Sequence, residues 1–253
     1  NVALNEYHGY LIDNIEEIGK LTHIKKLSIQ PSKVNNIKNA ISKLKNLEYL
    51  HIGVDKLEID FKNLKKLKCL YTDYHKNIFN FKELKKLQIL RIYNVDKKFF
   101  ETEIENFIEL KQLEILQSKG LKNLIKLTKL KQLEILEFHY CRTPIDLNFF
   151  ETFEGQLKVL KIGNCKNVLN INKIKKLKSL EWLEIVDSVL IEDANIVNSL
   201  PNLEILTILG RSHFINGDLS VLKNKKLRSI GIDNKRHYNI KFEELKKHTI
   251  GFK

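Results

Sequence analysis

Histidine and cysteine are the side chains of this sequence best suited to metal binding or nucleophilic chemistry, and their spacing supports neither. The eight histidines, at positions 8, 23, 51, 75, 139, 213, 237 and 248, include no pair at the separations a metal centre uses. The three cysteines, Cys69, Cys141 and Cys165, are an odd set without the paired spacing of a zinc knuckle or a disulfide framework, which points to a reducing compartment. The signatures GxxxxGK[ST], GxGxxG, HExxH and GxSxG do not occur. The residues therefore predict a protein with no metal, no cofactor and no catalytic centre. What is left is contact chemistry, carried by a few Tyr, His, Arg and Trp side chains whose role depends on the elements that hold them.

Those elements follow from a repeat. The heptapeptide LKQLEIL occurs at Leu110 to Leu116 and again at Leu130 to Leu136, and LKKLQIL at Leu84 to Leu90. The template L-x-x-L-x-x-L-x-I fits ten times between Leu21 and Asn234, its third position falling at Leu27, Leu50, Leu70, Leu90, Leu116, Leu136, Leu160, Leu183, Leu206 and Ile230. Successive markers are 23, 20, 20, 26, 20, 24, 23, 23 and 24 residues apart. A period of 20 to 29 residues with this Leu/Ile pattern is that of stacked supersecondary units.

The chain thus resembles the leucine-rich repeat family. The resemblance implies an α/β solenoid, a horseshoe of about ten repeats with a parallel sheet on its concave side and a mixed helical and 3₁₀ convex side. Residues 21–234 would be the repeats. Residues 1–20 and 235–253 would cap the two ends, through Leu4, Leu11, Ile12 and Ile15 and through Ile240, Phe242, Leu245, Ile250 and Phe252. One unit cannot cover its own apolar row, so stacking is what buries it. The segments VNNIKNAISKL, FFETEIENFIEL and EDANIVNSL predict amphipathic helices on the convex side, and the three 20-residue units leave room only for a turn or two. The family places Asn or Cys three residues beyond the last inward strand residue. Here only Cys141 and Cys165 hold that position, as structural thiols, so a buried Asn ladder is mostly missing.

Side chains alternate along a strand, so the template also predicts the outward columns. The first runs Lys26, Tyr49, Cys69, Ile89, Ile115, Ile135, Val159, Trp182, Ile205, Ser229. The second runs Ser28, His51, Tyr71, Arg91, Gln117, Glu137, Lys161, Glu184, Thr207, Gly231. The third runs Gln30, Gly53, Asp73, Tyr93, Lys119, His139, Gly163, Val186, Leu209, Asp233. Tyr49, His51, Tyr71, Asp73, Arg91 and Tyr93 make one candidate partner-binding neighbourhood. Glu137, His139, Tyr140, Trp182 and Glu184 make a second, with Lys119 between them in sequence. Tyr, Trp and Arg bury much area with few rotatable bonds and keep a polar handle, as interface anchors do. Cys69, beside Tyr71, is the thiol to watch for reactivity.

The chain has 44 basic and 31 acidic residues in 253, a net charge of +13. The basic residues are 39 Lys and 5 Arg, and Asn reaches 25, a composition that A/T-rich codons produce without selection for binding. The predicted outward columns hold four basic and four acidic residues, so the excess charge lies on the flanks, in runs such as Lys62/Lys65/Lys66/Lys68 and Lys173/Lys175/Lys176/Lys178. Phosphate recognition needs a continuous cationic track, and the columns argue against nucleic acid. No apolar run is long enough to span a membrane. The sequence reading is a cytoplasmic, non-catalytic scaffold, monomeric when unbound, that binds a folded protein through its concave face as an inhibitor, immunity or regulatory protein would. The alternatives are a secreted or surface adhesion protein whose signal has been removed, and an anionic-surface or nucleic-acid binder acting through the Lys-rich flank.

Overall fold

The structure, a computed structural model, describes residues 1–5, 15–30, 37–53, 58–121 and 124–251. The chain forms two compact units, Asn1–Gly120 and Leu121–Lys253. In the first unit the strands are β1 (Val2–Asn5), β2 (Lys26–Gln30), β3 (Tyr49–Ile52), β4 (Ile59–Asp60), β5 (Cys69–Asp73), β6 (Ile78–Phe79), β7 (Ile89–Tyr93) and β8 (Gln112–Leu116). Strands β1, β2, β3, β5, β7 and β8 pair in that order, all parallel, while β4 pairs with β6. The second unit contains β9 (Ile135–His139), β10 (Ile145–Asp146), β11 (Val159–Gly163), β12 (Val168–Leu169), β13 (Trp182–Val186), β14 (Ile205–Leu209) and β15 (Ser229–Ile232). There β9, β11, β13, β14 and β15 pair in parallel, and β10 pairs with β12.

Parallel strands need a crossover of a dozen or more residues, which is why every rung costs 20 residues or more of chain. The crossovers are tight. Only α1 (Ile37–Lys43), α2 (Ser220–Asn224) and α3 (Phe242–Lys246) are α-helical among the described residues. The predicted helix EDANIVNSL is a 3₁₀ segment, Ala194–Ser199, capped by the Asp193 carboxylate accepting from the Asn195 N–H. FFETEIENFIEL is a π turn, Phe99–Glu103, running into a 3₁₀ turn, Ile104–Asn106. In both, a single crossover between neighbouring parallel strands must also hold the turns at its two ends, which leaves room for tight turns rather than a longer α-helix. VNNIKNAISKL contains α1, its first three residues lying outside the described residues.

Each rung inserts alternate residues into the core. Leu27, Leu50, Leu70 and Leu90, with Ile29, Ile52, Thr72 and Ile92, are buried in the first unit. Leu136, Leu160, Leu183, Leu206 and Ile230, with Phe138, Ile162, Ile185, Ile208 and Ile232, are buried in the second. At the N-terminal end Val2–Asn5 pairs with β2, Leu4 opposite Ile29, so this segment joins the sheet itself. Leu11, Ile12 and Phe252 lie outside the described residues. Ile15, Ile240 and Leu245 are buried, and Ile250 is exposed.

One rung differs from the expected register. In β8 the residues opposite Leu90 and Ile92 are Leu113 and Ile115, not Leu116 and Ser118. The template there is Phe107/Leu110/Leu113/Ile115, with the Leu110 N–H donating to the Phe107 carbonyl at 2.9 Å. In the second copy of the heptapeptide the equivalent turn is one step later, from the Leu133 N–H to the Leu130 carbonyl at 3.1 Å. With Leu113 as marker the irregular spacings of 26 and 20 become 23 and 23. Ile115, predicted to face outward, is therefore fully buried, and Gln117 and Lys119 lie beyond the strand as exposed turn residues. The corrected outward residues are Gln112 and Glu114.

The correction also reveals what replaces the Asn ladder. Ser118, three residues beyond Ile115, is fully buried, accepts from the Val95 N–H at 3.1 Å and donates to the Leu116 carbonyl at 3.0 Å. Cys165 donates to the Phe138 and Gly163 carbonyls, the Ser188 hydroxyl accepts from the Cys165 N–H at 3.0 Å, and Ser212 accepts from the Ser188 N–H at 2.9 Å. Small hydroxyls and thiols thus satisfy the backbone where the family pattern has Asn.

Candidate functional site

On the face of the first unit's sheet opposite its core, strand register brings Tyr49, His51, Tyr71, Arg91 and Tyr93 together. Tyr49 pairs with Cys69, His51 with Tyr71, Tyr71 with Arg91, and Asp73 with Tyr93. The Tyr71 ring meets Tyr49 edge-on at 5.6 Å between centroids and His51 at 5.5 Å. The Arg91 Nε donates to the Tyr93 hydroxyl at 3.1 Å, its guanidinium carbon lies 5.6 Å from that ring, and Nε is 3.4 Å from the Glu114 carboxylate. Asp73 accepts from the Asn94 amide at 2.8 Å. These residues are half-buried by one another while still reaching solvent. Edge-to-face pairs of this kind hold one another's rotamers.

Burial shapes the titration of this cluster. It pushes the Tyr49 and Tyr71 hydroxyls above the usual tyrosine value, with the Cys69 side chain adding to the effect. His51 is held below the usual imidazole value by burial first and by the Arg91 charge second. The Cys69 thiol is pushed up to about 11 by burial, against the pull of a hydrogen bond with Tyr71 and the charge of Lys26. The reactivity expected of Cys69 is thus opposed by its surroundings, since the thiolate is the reactive form.

The second unit positions Glu137 and His139 on β9, Lys161 on β11, and Trp182 and Glu184 on β13. His139 Nε2 lies 3.1 Å from the Glu137 carboxylate, and the Lys161 ammonium is 3.7 Å from that carboxylate and 4.2 Å from the Trp182 ring centroid. Burial pushes the Glu137 carboxyl up, but the His139 hydrogen bond and the Lys161 charge outweigh it and hold the group below the usual carboxylate range. Gly163 is needed beneath His139: a Cβ there would sit 2.8 Å from the imidazole Nδ1. The Trp182 indole N–H is buried and finds no acceptor among the described residues.

Two predicted site residues are not on a strand. Lys119 is in the turn after β8, and Tyr140 follows β9 with φ of +57° and is 55% exposed. Glu114, on the open face against Arg91, is not among the residues that the sequence template predicts, because the template fits this rung one step later. Its signal was the even spacing that Leu113 restores.

The outward positions hold Lys26 and Arg91 against Asp73 and Glu114 in the first unit, and Lys161 against Glu137, Glu184 and Asp233 in the second. Three basic against five acidic residues leave a net of −2 where the whole chain carries +13. Some flank lysines pair with carboxylates one rung away, as in Lys68 with Glu48 at 2.9 Å, Lys158 with Glu134 at 3.1 Å and Lys176 with Glu151 at 3.1 Å.

A family described as Leucine-rich repeat region matches residues 2–244. The chain belongs to the leucine-rich repeat family. No curated protein matches its sequence. Among solved structures this leucine-rich repeat chain is similar to the LRR protein LIC12759 of Leptospira interrogans, with a TM-score of 0.68 at 20% identity over 100% of this chain and 65% of that one. It is also similar to the functional domain of InlJ from Listeria monocytogenes, which includes a cysteine ladder (TM-score 0.59, 18% identity, 92% of this chain and 53% of that one). A third is the chain in a TLR13–ssRNA13 complex, with a TM-score of 0.53 at 19% identity over 91% of this chain and 43% of that one. The chain thus spans less than two thirds of the length of each. These likenesses show the solenoid fold. No helix among the described residues is long and apolar enough to cross a membrane.

Proposed function

We propose that the chain is a non-catalytic binding module that docks a folded protein on the open face of its sheet. The observation that carries this reading is the Tyr49/His51/Tyr71/Arg91/Tyr93 cluster, aromatic and guanidinium side chains held in fixed contact on a face that reaches solvent. Such a surface loses little side-chain entropy on docking, and its residue types are those that dominate interface energetics. The outward positions lack the cationic excess that phosphate would require, which favours a protein over a nucleic acid.

The test compares three baits in a lysate of cells that encode the chain: the unaltered protein, the double variant Tyr71→Ala/Arg91→Ala, and the flank variant Lys173→Gln/Lys175→Gln. A protein retained by the first and third and lost from the second is the expected result, the double variant weakening it by at least ~2 kcal/mol, or roughly thirtyfold. Equal retention by all three would place the contact elsewhere. Loss from the flank variant alone, with salt-sensitive oligonucleotide binding, would favour the anionic reading.

A further inference from the structure

Among the described outward residues of the second unit's sheet, one carboxylate has no ion pair. Glu137 is satisfied by His139 and Lys161, and Asp233 accepts from the Gly210 N–H at 2.7 Å and lies 3.5 Å from the Lys235 ammonium. Glu184 has no hydrogen bond or ion pair among the described residues, although it is half-buried. Strand register places Lys161 opposite it on β11 and mostly apolar side chains at its other neighbouring positions. Trp182 and Val186 flank it on β13, and Thr207 stands opposite on β14 between Ile205 and Leu209.

We infer that the partner docked on the second unit presents a basic side chain, flanked by apolar ones, that pairs with Glu184. This deepens the proposed function and rests on it. A protein covering Trp182 and Ile205 strips water from Glu184 as well, and an unpaired charge buried at an interface is strongly penalised. A cation opposite the carboxylate removes that penalty, while Trp182, Ile205 and Leu209 supply an apolar rim that excludes water from the pair. Lys161, although opposite Glu184 on β11, turns its ammonium to the Trp182 ring and the Glu137 carboxylate instead. The net acidity of these outward positions on a chain of +13 points the same way: partners without a basic patch are discriminated against here.

The probe is a displayed library of random dodecapeptides selected on the folded chain, with the highest-affinity peptide that Trp182→Ala weakens then measured against Glu184→Gln and against Glu181→Gln, an exposed neighbour off the open face. The proposal expects Lys or Arg in that peptide beside apolar residues, and a loss on the order of tenfold or more with Glu184→Gln but none with Glu181→Gln. Replacing the peptide's basic residue with Gln should abolish the difference between unaltered and Glu184→Gln chains. A peptide weakened by Trp182→Ala yet indifferent to Glu184→Gln would overturn the cation pairing while leaving the docking face intact. Failure to select any peptide sensitive to Trp182→Ala would overturn both for this unit.

Discussion

Ile115 and Ile135 hold the same sixth place in two copies of LKQLEIL, yet Ile115 is fully buried in the core of the first unit and Ile135 lies half-exposed on the open face of the second. The heptapeptide accepts two frames of the repeat, and the residues outside it choose between them. Truncation should read out the difference. Ile115→Ala leaves a cavity and is expected to cost about 2–4 kcal/mol, whereas Ile135→Ala should cost less than about 1 kcal/mol. Guanidinium unfolding followed by circular dichroism measures both, and similar losses would mean the two rungs share one frame.

The same pair explains how much was legible. Nine of the ten markers follow from Leu/Ile periodicity alone, because an inward row that slips by one residue would expose every side chain in it. At the fifth rung both frames put apolar residues inward, Phe107/Leu110/Leu113/Ile115 or Leu110/Leu113/Leu116, and pattern matching does not discriminate between them. Tyr49, His51, Tyr71, Arg91 and Tyr93 were readable for the same reason as the core: alternation fixes one face once the other is known. Glu114 was lost with its rung. The convex turns were less legible, since a short crossover is shaped by its caps, such as Asp193 on Asn195, more than by helix propensity.

Ser118 tests the ladder that stands in for Asn. Its hydroxyl accepts from the Val95 N–H and donates to the Leu116 carbonyl, both without access to water. Ser118→Ala strands the Val95 N–H, while the Leu116 carbonyl keeps the Asn94 N–H, and should cost about 1–3 kcal/mol. Ser118→Cys, which keeps a weak donor and acceptor as Cys165 does, should lose less. A thermal melt of the three proteins decides; an alanine variant as stable as the parent would show that the loop backbone is satisfied another way.

Cys69 should be slow toward thiol reagents despite lying on the open face. With its thiol pushed up to about 11 by burial, the thiolate is scarce at pH 8. Reaction of the native chain with an aromatic disulfide reagent should run on the order of a hundredfold slower than that of a small-molecule thiol. Cys141 and Cys165 are fully buried and should react only on unfolding. A fast single-thiol phase in the native protein would contradict the burial of Cys69.

His51 sets a pH dependence. Burial and the Arg91 charge both disfavour its imidazolium, so its folded pKa lies below its unfolded value of about 6.5. The unfolded chain then takes up the proton first as pH falls. Stability linked to His51 is therefore complete above about pH 6.5 and declines as pH drops through the folded pKa, with the sign opposite to that of a histidine gaining an acidic partner. Its ring nitrogens face the Ser28 hydroxyl at 3.3 Å and the Gln30 amide nitrogen at 3.2 Å, with no carboxylate among these contacts to stabilise the cation. The ring signal of His51 in a proton NMR titration should move with a midpoint below that of a free imidazole side chain. Arg91→Ala should raise that midpoint, because it removes one of the two causes, and should flatten the acid side of the stability profile. A midpoint unchanged by Arg91→Ala would assign the whole depression to burial, and a midpoint above about 6.5 in the parent would mean that the Tyr71 ring does not cover His51 in solution.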